Sequence, residues 1–130
     1  MLRTLRRSAA PGRGCEPDAP GAGRLRGVDA EARGLLLAAA SRLDALASRT
    51  TPGTWRTAGL LASRPEVVAV QPDGATEHVA EARTRSAEWI VTLSPALAAP
   101  LAAWLRAAAD GPAGGPEALA VARALTSAGR

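Results

Sequence analysis

The chain has 130 residues, enough for one small domain. Its sixteen basic residues are all Arg and face twelve acidic ones, for a formal charge of +4. There is no Lys, Asn, Phe or Tyr, which excludes a Lys-built tail, a Tyr-based active site and a core of Phe and Tyr rings. One Cys (Cys15) and one His (His78) exclude a disulfide framework and a Cys/His zinc cluster, which needs about four ligands.

The missing residue types share AT-rich codons, whereas Ala, which fills 32 positions, and Arg, Gly and Pro share GC-rich ones. A GC-rich bacterial genome accounts for both, so the Arg-only basicity is not by itself a phosphate-binding signal. The charge is unevenly placed. Residues 1–27 hold six Arg and two acids, whereas residues 28–130 hold ten of each and are neutral. The domain therefore lacks the basic footprint of a nucleic-acid-binding fold.

Residues 1–27 read as a disordered tail rich in Arg, Gly and Pro, and residues 28–130 as a single domain. Eight of the eighteen positions from 10 to 27 are Gly or Pro, and such a stretch buries too little surface to offset its ordering entropy. The segment after Arg3, Arg6 and Arg7 lacks the apolar run of ~7–15 residues expected of a signal peptide.

Residues 29–48 read as the first helix, capped by Asp29, with Ala32, Leu36, Ala39, Leu43 and Leu46 on one face. Thr54–Thr57 is strand-prone. Residues 66–70 and 75–80 then read as a hairpin around Pro72-Asp73-Gly74. Pro72 presets φ, Asp73 tolerates the next position and Gly74 supplies a positive φ. The simplest register pairs Val68 with His78 and Val67 with Val79.

Residues 83–93, carrying Trp89, Ile90 and Leu93, predict another helix. Ser94-Pro95 opens the next, with Leu97, Leu101, Trp104 and Leu105 as its apolar face. Pro100 requires either a kink there or a helix that starts near Ala99. Pro116 and Glu117 begin a last helix with Ala118, Val121, Ala122 and Leu125 on one face and Gly129 as its stop. The fold class expected is α+β: an N-terminal helix, a small antiparallel hairpin or meander, and C-terminal helices packed on one sheet face. Trp55, Trp89 and Trp104, the only aromatic residues, are expected to fill the core between sheet and helices.

The runs TPGTWRTAGLLASRPEVVAVQPDGATEHVAEA (51–82), SAEWIVTLSPALAAPLAAWL (86–105) and PEALAVARAL (116–125) resemble a group of small uncharacterised actinobacterial proteins, some of whose relatives are phage-encoded. The resemblance covers roughly residues 42–126 and implies a bacterial intracellular protein. It brings no functional residue with it.

No residue pattern carries chemistry. His78 lacks a nucleophile in an activating motif, and Glu77 and Glu81 alternate to the other strand face. Cys15 has no base fixed beside it. Gly21, Gly23 and Gly27 do not form a phosphate loop. Residues 89–105 are free of charge over seventeen positions, short of the ~20 that span a bilayer, and contain two prolines. They read as two short helices meeting at Ser94-Pro95.

The expectation is a cytoplasmic, non-enzymatic accessory or protein-interaction protein, with no catalytic, cofactor-binding or metal-binding residue. Its partner is an unknown protein or a second copy, and not a membrane. The alternative is sequence-blind contact with nucleic acid through Arg3, Arg6, Arg7, Arg13, Arg24 and Arg26.

Overall fold

Alanine, leucine and arginine are strong helix formers, and from Ala22 to Arg49 no proline interrupts them. In the computed structural model, which describes residues 22–59, 64–111 and 115–128 and side chains from Asp29 onward, this whole stretch is one helix, α1 (Ala22–Arg49). It starts seven residues before the expected Asp29 cap, so Asp29 lies within the helix and residues 22–27, read as tail, are helical. Gly23 and Gly27 each cost about 1 kcal/mol against Ala and do not break it.

The chain leaves α1 through Thr51-Pro52-Gly53 and enters a three-stranded antiparallel meander in the order β1-β2-β3, comprising β1 (Thr54–Ala58), β2 (Glu66–Val70) and β3 (Thr76–Glu81). Gly53 has φ 110°, and a Cβ there would stand 2.6 Å from the Val70 carbonyl oxygen, so the entry to the sheet requires glycine. The hairpin turn forms as the sequence predicts. Gln71 N–H donates to the Ala75 carbonyl at 2.8 Å, Gly74 N–H donates to the Gln71 carbonyl at 2.9 Å, and Gly74 takes φ 85°. Asp73 Oδ1 accepts from the Ala75 N–H at 2.9 Å, which fixes the turn further.

Val68 pairs with His78 as expected, but Val67 pairs with Ala80. A β-bulge leaves Val79 as the extra residue. Either valine or alanine satisfies an apolar partner for Val67, so hydrophobicity alone did not distinguish the two registers. In the central strand Val67, Val68 and Ala69 are all buried.

The closing helices are α2 (Thr84–Thr92), α3 (Ala98–Asp110) and α4 (Pro116–Ser127). The fold is α+β, with the leading helix, antiparallel meander and closing helices in the predicted order. Of the closing helices, α2 packs on the sheet, against β1 and β2, whereas α3 and α4 pack on α1. Ser94 adopts an extended conformation (ψ 167°) and starts a single 3-10 turn, Pro95–Leu97, that leads into α3. Pro100 is tolerated because it stands in the first turn of α3, where backbone N–H groups lack intrahelical partners.

The α1–α3–α4 core is built on alanine. Leu36, Ala39 and Ala40 of α1 meet Ala102, Leu105 and Ala109 of α3 and Ala118 and Ala122 of α4. Small side chains let the helix axes approach closely and place many atoms in dispersion contact. The inward face of α3 is therefore Ala98, Ala102, Leu105 and Ala109, turned by one residue from the expected Leu97, Leu101, Trp104 and Leu105. Of that expected set only Leu105 is buried. Arg106 bonds Asp44 at 2.5 Å and Arg33 approaches Asp110 at 3.3 Å, linking α3 to α1 at the surface. Exposed pairs of this kind add little stability each.

Two substitution pairs check this description by urea denaturation. Leu105→Ala should lower stability by about 3 kcal/mol, whereas Leu97→Ala should cost under about 1 kcal/mol. Gly74→Ala should cost about 1 kcal/mol from φ alone, with open space for its Cβ, and Gly53→Ala should cost more because it also meets the Val70 carbonyl.

Candidate functional site

The three tryptophans do not fill the core. Trp89 is 68% exposed and Trp104 is 43% exposed, while Trp55 is half-buried. On α3 the stripe Ala98, Ala102, Leu105 and Ala109 takes the inward face, which leaves Trp104 on the flank of the helix. On α2 the inward residue is Ala87, roughly opposite Trp89 on the helix, so Trp89 turns outward.

Trp55 is positioned by its own turn. Its indole Nε1–H donates to the Thr51 carbonyl at 3.0 Å, and the Gln71 side-chain amide donates to the Pro52 carbonyl at 2.7 Å. These bonds hold the ring against an open cleft of about 330 Å³. Leu43, Leu46, Ala47 and Thr50 of α1 form one wall of the cleft. The α2–α3 junction, through Leu93, Ser94, Pro95, Leu97, Ala98 and Leu101, forms the other, and Leu125 of α4 completes it.

Among the described residues no charged side chain lines the cleft, and its side-chain hydroxyls belong to Thr50 and Ser94. Three of its leucines, Leu46, Leu93 and Leu97, are substantially exposed at its rim. Trp89 lies one turn back from Leu93 along α2, and Trp104 lies one turn on from Leu101 along α3. Both therefore extend the apolar surface of the cleft. A second opening, of about 520 Å³, lies between α1 and α4, with Glu31 and Arg123 among its lining residues.

His78 stands on β3 with its side chain 54% exposed, and its Nδ1 is 3.4 Å from Glu66 Oε2. Neither cleft includes it. Among the described residues no group of three or more His, Cys, Asp or Glu is placed to hold a metal ion. Arg3, Arg6, Arg7, Arg13 and Cys15 lie outside the described residues. Arg24 and Arg26 fall in the first turns of α1, within the part whose side chains are not described.

The cleft was only partly legible in the sequence. Leu93, Leu97, Leu101 and Trp104 were recognised as apolar positions and assigned to the interior. The signal for the opposite assignment is the second stripe on α3, Ala98-Ala102-Ala109, which competes for the inside and is small enough to win it.

Tryptophan emission checks the arrangement directly. Trp89→Phe and Trp104→Phe should each remove an acrylamide-accessible component, and the remaining Trp55 emission should be bluer and less quenched. His78→Ala should change stability by no more than about 0.5 kcal/mol, because its ion pair is solvent-exposed.

Comparison with protein-family models, with curated proteins and with solved structures finds no significant match.

Proposed function

We propose that this chain is a non-enzymatic accessory protein that acts by binding another protein through the apolar cleft between α1 and the α2–α3 junction. The observation that carries this reading is the placement of bulk: among the described residues the three tryptophans and several leucines stand at or beside one surface cleft, while the interior is mostly alanine. Contiguous exposed apolar surface of this kind marks interaction sites, and Trp is the residue type most enriched at their energetic centres. The uncharged lining fits a partner that presents aliphatic or aromatic side chains. A charged metabolite or a phosphate backbone would find no counter-charge in it.

The test is site-specific photo-crosslinking in growing cells, with a benzophenone amino acid in place of Leu93 and, as a control, in place of the exposed Ala120 on α4. A discrete protein adduct at position 93, absent at position 120 and lost when Leu97→Glu is added, is the expected result. The absence of any protein adduct at position 93 would overturn the reading.

A further inference from the structure

We infer that the occupant of this cleft is a second copy of the same chain, the two copies packing these apolar faces together; this rests on the interaction reading above and names its partner. The first argument is the thinness of the core. Among the described residues nine of the thirteen buried hydrophobic ones are Ala, and the largest fully buried side chains are Leu36, Leu105 and Val67. A domain of this size buries a smaller fraction of its surface than a larger one does, and an alanine core lowers the gain further. Burial between copies supplies what the single chain lacks.

The second argument is area. Among the described residues Leu46, Trp89, Leu93, Leu97 and Trp104 are the exposed large hydrophobic ones. At ~150–250 Å² for a whole aromatic side chain, and less for leucine, the five leave on the order of 500 Å² of apolar surface in water. Two such faces brought together remove on the order of 1,000 Å², the minimum expected of a specific interface, and the cleft walls add to it.

The third argument is charge. Among the described residues that line the cleft none is charged, so two apolar faces of this kind meet without like charges opposed across them.

A lipid surface is the competing occupant, because Thr84–Asp110 is long and apolar enough by composition to enter a bilayer. Two features oppose it. Ser94 breaks the segment, and Ala102, Leu105 and Ala109 are committed to the helical core.

The test uses the full chain with Cys15→Ser, which removes thiol cross-linking, measured by light scattering and sedimentation over a range of concentrations. A mass twice 13.2 kDa at high micromolar concentration, falling on dilution, is expected, together with a melting temperature that rises with concentration. Leu97→Glu and, separately, Trp104→Glu should each raise the dimer dissociation constant by about 100-fold with an unchanged far-UV circular dichroism spectrum. A dimer that persists in both variants would overturn the inference. So would a chain that is monomeric at every concentration while the Leu93 photo-adduct contains a different protein, an outcome that leaves the interaction reading standing. A monomer that co-sediments with vesicles of phosphatidylglycerol and phosphatidylcholine and yields no protein adduct would overturn both.

Discussion

The close approach of α1 and α3 across an alanine seam is the constraint on which the rest of the structure depends. Ala39 and Ala40 on one side and Ala102 and Ala109 on the other share the seam with two larger buried side chains, Leu36 and Leu105. That seam decides which stripe of α3 faces inward and pushes Leu97, Leu101 and Trp104 to the flank. It fixes the position of the α2–α3 junction and so places Leu93 and Leu97 opposite Leu43 and Leu46 across an open cleft. The arrangement has an energetic cost, because alanine buries little area per residue. Close dispersion contact offsets part of that cost.

The local features were the legible ones. The Pro72-Asp73-Gly74 turn was readable because each residue contributes its own backbone preference, with no help from tertiary contacts. The break at Ser94-Pro95 and the start of α4 at Pro116 follow from the same kind of chemistry. Helix and strand order, and hence the α+β class, followed from these punctuation marks together with the periodicity between them.

What was not legible involved a choice between two adequate apolar options. On α3 the stripes 97-101-104 and 98-102-105-109 lie about 100° apart, one residue's rotation around the helix. Hydrophobicity favours the first for burial, and close helix packing favours the second. Between β2 and β3 either Val79 or Ala80 satisfies Val67, and the bulge settles it for Ala80. The tryptophans were misplaced for a related reason. An absence of Phe and Tyr suggests that indoles must supply the core, but a core can also be made mostly of alanine around a few buried Leu and Val side chains. At the other end of α1, no sequence signal marks Ala22 as a start, since Gly23 and Gly27 argue against helix there and only their neighbours argue for it.

The irregularity at Val79 has a consequence of its own. β3 forms one margin of the meander, and an open margin offers unpaired backbone groups to any passing extended chain. The extra residue increases the local twist, and Glu77, His78 and Glu81 place ionisable groups along the same strand. A strand added there would find neither a flat ladder nor an uncharged one, so stacking into fibrils is discouraged on that side.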